Sequence, residues 1–339
     1  MQINTENIKD SIHADRPLLK PNTIKQYEIN LNKLKKMFDA EGNTNMNNSY
    51  DFLENPTLVM DKISHLHYTS QRNYLNAIIV LLCALNHDTE GTNVKKYDKI
   101  LEKYGKIRDD FNDKYANEQK SGIISDKQSK NFTTIEEVYK MIDTMADELK
   151  PIKFKTKDQM TLREKSLLQV YTLFNIYSRM PMRNDVAGME AIQKRRYNQL
   201  SEEDKKENNY LVIDRSNFFF VLNKYKTSKK YEELKLPIED KKLKRILRYY
   251  LKINGLGILF TSSTGKALSR NALTQLLIKT SQKYMKKSIS TTLLRKIYLS
   301  SKYGKMKDEL EKDNKVMGHS KEVALNTYVK KHCEPEPEN

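Results

Sequence analysis

Several side chains, met in one direction along the sequence, are of the types that handle a phosphate. Arg183 stands in Met180-Pro-Met-Arg183-Asn-Asp-Val-Ala-Gly188, Lys226 in Lys224-Tyr-Lys226-Thr-Ser-Lys-Lys-Tyr231, and Arg295 in Thr292-Leu-Leu-Arg295-Lys296. His319 then sits in a glycine-marked turn, Val316-Met-Gly-His-Ser320, nine positions before Tyr328. Guanidiniums present paired, fixed donors to phosphate oxygens. Ammonium and imidazole groups supply protons or hydrogen bonds, and a phenol is a nucleophile. Alone, each would be ordinary: among 61 Lys and Arg most are surface charges, and among 20 Tyr one at helical spacing from Leu325 more often packs than reacts. Order and spacing single them out.

Other chemistries are poorly served. His65 and His67 are two apart, a spacing whose side chains diverge on a helix, and no H-E-x-x-H is present. Cys83 and Cys333 are too few for a cysteine zinc site or a disulfide scaffold, so metal-free chemistry in an intracellular chain is expected. Glycine is scarce, with 10 residues in 339, and neither G-x-G-x-x-G nor G-x-x-x-x-G-K-[ST] occurs, which disfavours nucleotide-binding loops. The longest apolar run, Ala77 to Leu85, falls far short of the ~20 residues that span a bilayer, and the N-terminus lacks a signal-peptide layout. No membrane association and no secretion are expected. With 61 basic against 44 acidic residues the formal charge is +17 and the pI about 9.4, which makes a polyanion, nucleic acid first, the expected partner.

The elements that must position these groups read as mainly helical with a small sheet, an α+β chain. At roughly 150 residues per domain the length suggests about two domains. Residues 1–19 are polar with no clean period. Ile24, Tyr27, Leu31, Leu34 and Phe38 then recur at helical spacing behind Pro21. A loop over Gly42–Ser49, a short helix over Pro56–Ile63, and helices over Thr69–Leu85 and 93–120 follow. Gln119 to Asn131 is poor in apolar residues and is taken as the boundary. Beyond it, Thr134 and Glu137 fit a capping box, and helices run to about Arg179, where Pro181 stops them. Ser201–Asn209 is expected to be a solvated loop. Tyr210–Ile213, Phe218–Leu222 and Tyr231–Ile238 predict a three-stranded antiparallel sheet. From Lys241 the pattern is helical, interrupted at Gly255–Gly265 and Met317–Ser320, and the acidic tail from Glu334 should be disordered.

The ordered set from about Ser178 to Lys331 resembles the tyrosine recombinase family, the phage-type integrases and their relatives in eukaryotic DNA viruses and mobile elements. Lys20-Pro-Asn-Thr-Ile-Lys-Gln-Tyr27 looks like the opening helix of that family's core-binding domain. The resemblance implies an N-terminal extension (1–19), a helical core-binding domain (20–116), a linker (117–132), a catalytic domain (133–331) and a tail (332–339), the two domains closing around duplex DNA as a clamp. It implies Arg183 and Arg295 as the phosphate clamp and Tyr328 as the nucleophile forming a 3′-phosphotyrosine. Lys226, or failing it Lys224, would be the proton donor to the leaving 5′-oxygen, and His319 a hydrogen-bond donor to the phosphate. Such exchange needs no cofactor, ATP or divalent ion, because the phosphotyrosine conserves the bond energy. Where the family commonly has His three residues before the second Arg, Thr292 stands here; it hydrogen-bonds but does not accept a proton near neutral pH. The acidic residue usual three places after the first Arg is Val186, with Asp185 one earlier.

The implied activity is site-specific DNA recombination, with integration of a viral or mobile-element genome the favoured role, at the host nucleus or viral replication site. A homotetramer on two DNA sites is implied, and no small-molecule substrate. With 11 residues after Tyr328, a shorter exchanged tail or a different assembly is expected than in many relatives. A resolvase-type recombinase, a type IB topoisomerase and a catalytically silent DNA-binding protein are the alternatives.

Overall fold

The computed structural model describes residues 8–39, 50–87, 97–124, 126–152, 155–318 and 320. The chain divides into two compact units, one ending at Ile124 and the other beginning at Ser125.

The regular structure described in the first unit is all helical: α1 (Ile8–Asp15), α2 (Pro21–Asp39), α3 (Pro56–Ile63), α4 (Tyr68–His87) and α5 (Asp98–Ser121). Pro21 and Pro56 open their helices, where the fixed φ fits and no N–H is missed. The Asn55 side chain caps α3 by accepting from Leu58 N–H at 3.2 Å. α4 buries Leu75, Ala77, Ile78, Val80, Leu81 and Leu82, so apolar positions run most of the way round it. Such a helix must be surrounded, and α1, α2 and α5 pack on it. α1 departs from the expectation of no periodic element before residue 20. Ile8 and Ile12, one turn apart, are buried in this core. Two apolar positions are enough when α2 and α4 supply the rest of the wall, and too few to register as a pattern. The Gly42–Ser49 loop lies outside the described residues.

The second unit contains α6 (Asp126–Ser129), α7 (Ile135–Leu149), α8 (Leu162–Tyr177), β1 (Glu190–Gln193), α9 (Lys194–Tyr197), α10 (Glu202–Glu207), β2 (Asn209–Asp214) and β3 (Asn217–Leu222). It continues with α11 (Ser228–Tyr231), β4 (Leu234–Pro237), α12 (Lys241–Asn254), β5 (Gly257–Ile258), α13 (Arg270–Met285) and α14 (Thr291–Met317). Thr134, Thr161, Asp240, Ser269 and Ser290 cap α7, α8, α12, α13 and α14, each side chain accepting an N–H of the first turn. At α8 the box is reciprocal, Glu164 accepting from Thr161 N–H at 2.8 Å.

The sheet corrects the expectation of three antiparallel strands. It has five, in the order β4-β3-β2-β1-β5, and β1 pairs with β2 in parallel. The other pairings are antiparallel. The Tyr231–Ile238 strand shortens to β4, because Ser228–Tyr231 is a helical turn. Leu211, Ile213, Phe218, Phe220 and Leu222 point to the main core with α7, α8, α12, α13 and the start of α14. Tyr210, Val212 and Val221 point the other way, against Ile192 and Tyr197. With both faces covered, β2 is buried along nearly all its length. The mainly helical α+β class expected from the sequence is the one adopted. No described helix is long and apolar enough to cross a membrane.

Candidate active site

The turn carrying Arg183 is fixed from beneath. α8 ends in fully buried Tyr177, whose hydroxyl donates to Arg183 O at 3.1 Å, and Tyr139 Oη donates to Ser178 O at 3.2 Å. At Pro181 the chain turns tightly, Met182 N–H donating to Met180 O at 2.7 Å, and Met182 and Val186 are buried on either side of the Arg183 turn. The Arg183 side chain is left exposed. Asn184 Nδ2 donates to Arg270 O (3.1 Å) and Thr274 Oγ1 (2.7 Å), tying the turn to α13.

Arg295 lies in the second turn of α14, which is seated by buried Leu293, Leu294 and Ile297. It lines one cavity of about 520 Å³ together with Arg179, Arg183, Asp185, Tyr225 and Thr227. Its Nε is buried without a hydrogen-bond partner among the described residues. A buried charged donor left unpaired is costly, so this arrangement suits an anion that enters from outside. Arg179, by contrast, is occupied: Nη1 bonds Asn175 Oδ1 at 2.8 Å and Nε pairs with Asp240 at 3.3 Å. Asp185 is buried beside these cations and pairs with Arg270 at 3.0 Å. Burial pushes its carboxyl above the ordinary range, against the downward pull of the Arg270, Arg183 and Arg295 guanidiniums.

Lys226 is exposed in the connection between β3 and β4, flanked by the cavity-lining Tyr225 and Thr227. Tyr225 Oη donates to Glu232 O at 2.9 Å and closes that connection on itself. Lys224 is engaged elsewhere, its Nζ 3.3 Å from Glu207 Oε2. Thr292 is exposed in the first turn of α14 and does not line the cavity. His319 and Tyr328 lie outside the described residues. α14 runs unbroken from Arg295 to Met317, about 33 Å of helix at 1.5 Å per residue. The eleven residues from Gly318 to Tyr328 span at most about 40 Å when fully extended. The geometry thus brings Arg183, Arg295 and the Lys226 connection to one cavity and does not bring Thr292 there.

Two residues at the base of this arrangement had no signal in the sequence. Asn209 closes the run expected to be a solvated loop; Glu202–Glu207 is instead an exposed helix, and Asn209 is a buried strand residue at 4% exposure. Arg270 looked like one basic residue among many. Both bond Asp185 and the main chain at Lys224. Only long-range contact reveals such roles. Among the described residues no group of three or more His, Cys, Asp or Glu side chains is placed to hold a metal ion.

No family model matches the chain, and no curated protein matches it. A solved structure described as XerH site-specific recombinase bound to difH substrate, pre-cleavage complex, is similar at a TM-score of 0.47 and 15% identity, over 89% of this chain and 75% of that one. Likeness at this level leaves the activity to be argued from the chain's own residues.

Proposed function

We propose that the chain is a DNA strand transferase of the tyrosine recombinase type, cleaving and rejoining duplex DNA through a phosphotyrosine. The observation that carries the reading is the convergence of Arg183 and Arg295 on one cavity, with Arg295 Nε buried and unpaired. Two guanidiniums facing one space match the nonbridging oxygens of a phosphodiester, whose charge grows as a nucleophile adds. The formal charge of +17 supports a nucleic-acid partner held largely through its phosphates.

In this reading Tyr328 Oη bonds to phosphorus while the P–O5′ bond breaks. The leaving oxygen takes a proton from Lys226 Nζ, and the phenolic proton passes to solvent. Reversal with a second 5′-hydroxyl rejoins the strand, with no ATP, metal or other cofactor. Asp185 orients the Arg183 turn, His319 adds a donor to the phosphate, and Thr292 contributes at most a hydrogen bond. The first unit supplies further duplex contacts, and a homotetramer on two sites performs exchange. Integration of a viral or mobile-element genome is the biological role that fits best, inside the cell wherever the target DNA resides.

A second reading, a DNA-binding protein without cleavage, is favoured by one observation: Thr292, at the position where the family commonly has His, is exposed and outside the cavity, so no base is offered there to a phenol. Incubation of the purified chain with a pool of nicked duplexes separates the two. A covalent adduct that survives denaturation and is lost in Tyr328→Phe is expected; no adduct, or one indifferent to that change, rejects the strand-transferase reading. Relaxation of any supercoiled plasmid without site dependence would instead indicate topoisomerase action.

A further inference from the structure

Beneath the cavity, Asn209 and Arg270 join two segments that a general acid and a phosphate clamp would each need held. Asn209 uses its whole side-chain amide. Nδ2 donates to Asp185 O at 2.9 Å and Lys224 O at 3.2 Å, and Oδ1 accepts from Asn223 N–H at 2.9 Å and Lys224 N–H at 2.8 Å. That is the full capacity of an amide, two donors and two acceptor lone pairs, met at a site buried from water. Arg270 reaches the same two places by another route, its Nη2 lying 3.0 Å from Asp185 Oδ1 and 3.3 Å from Lys224 O. Asp185 is two residues after Arg183, and Lys224 is two residues before Lys226.

We propose that Asn209 and Arg270 are positioning residues that hold the Lys226 connection in register with the Arg183 turn, so that the proton donor and the phosphate clamp address the same phosphate. The inference rests on the strand-transferase reading and deepens it. Neither residue touches the reacting atoms. Their effect passes through Asp185 and the Lys224 peptide, and a carbonyl shared between two side chains from different elements leaves little freedom for the start of the connection. Arg270 is the more informative of the pair, because 56% of its side chain is exposed and its replacement removes little packing.

The test compares single-turnover cleavage of an ordinary nicked duplex with cleavage of one whose scissile 5′-bridging oxygen is replaced by sulfur. A thiolate leaves without a proton, so the sulfur substrate bypasses the acid. Asn209→Ala and Arg270→Gln should slow the ordinary substrate on the order of 10²-fold, the cost of a misplaced catalytic group, with DNA affinity unchanged. On the sulfur substrate both should recover to within a few-fold of wild type, as Lys226→Ala should, and Arg270→Lys should restore part of the ordinary rate. Should Asn209→Ala fail to fold, Arg270→Gln decides alone. Equal slowing on both substrates, or an ordinary rate within twofold of wild type, overturns the inference while leaving the strand-transferase reading intact. Absence of a Tyr328-dependent adduct in the wild-type chain removes that reading, and the inference with it.

Discussion

Around α4 the first unit buries side chains that need only neighbours. Leu75, Ile78, Leu81 and Leu82 have no exposed surface, and Gln71 is the buried polar exception among the described residues. Its amide closes a turn by donating to Ser64 O and Leu66 O. Under the cavity of the second unit, burial is granted to Asn175, Ser178, Asp185 and Asn209 instead. Each is bonded to the main chain or to a charged partner. A core of aliphatic groups is governed by volume and tolerates some reorientation, whereas one built of directed bonds fixes angles. The second arrangement is what a site needs when charges from distant parts of the chain must face one point.

The sharpest contrast comes from deleting an apolar side chain. Leu81→Ala should cost about 2–5 kcal/mol in denaturant unfolding of the first unit, since it leaves a cavity in a closed core. A cost below about 1 kcal/mol would mean that this core collapses freely and is not set by volume. Arg295→Ala should do the reverse: stability within about 0.5 kcal/mol of wild type, because a buried unpaired donor is removed. Adduct formation should meanwhile fall about 10²–10³-fold, as for loss of one transition-state donor. Destabilisation matching that of Leu81→Ala would erase the distinction. Gly304→Ala should raise stability by about 0.5–1 kcal/mol in thermal unfolding, since the added methyl meets nothing within 4 Å in the middle of α14. If adduct formation drops as stability rises, the site is completed by a break in that helix.

The smallest effect concerns pH. The Glu164 carboxyl is held below its ordinary value of 4.5, first by the hydrogen bond from Lys155 and then by Thr161 N–H. A carboxyl whose pKa is depressed on folding contributes fully above that ordinary value and loses its contribution as pH falls through the depressed one. Glu164→Gln should therefore flatten the acid limb of the stability profile slightly and leave the neutral plateau nearly unchanged. An unaltered acid limb would show the capping box to be electrostatically silent.

The parts of the fold that could be read in advance are those where one face of an element is visible in its own residues. α2, α3 and α4 carry enough apolar positions to show a period, and β2 and β3 enough β-branched and aromatic ones. β1, with four residues, and β5, with two, are strands only because neighbours pair with them, so Glu190–Gln193 and Gly257–Ile258 left no trace of their own. The site divides along the same line. Arg183 and Arg295 are legible because a clamp on phosphate demands a side-chain type, and type is written in sequence. Asn209 and Arg270 are not, because their value lies in distances to Asp185 and Lys224, and a sequence records no distances.

α14 has a mechanical consequence. Its first two turns are gripped among Leu294, Ile297 and the neighbouring helices, and Arg295 projects from that fulcrum; some 33 Å further on the helix ends at Met317, with Asn314 in its last turn buried again. A tilt of about 10° at the fulcrum swings the far tip by about 6 Å, more than a helical turn's pitch. Buried Asn314 limits such a swing, so displacement at Met317 would follow the grip at Arg295 only as far as that second hold yields.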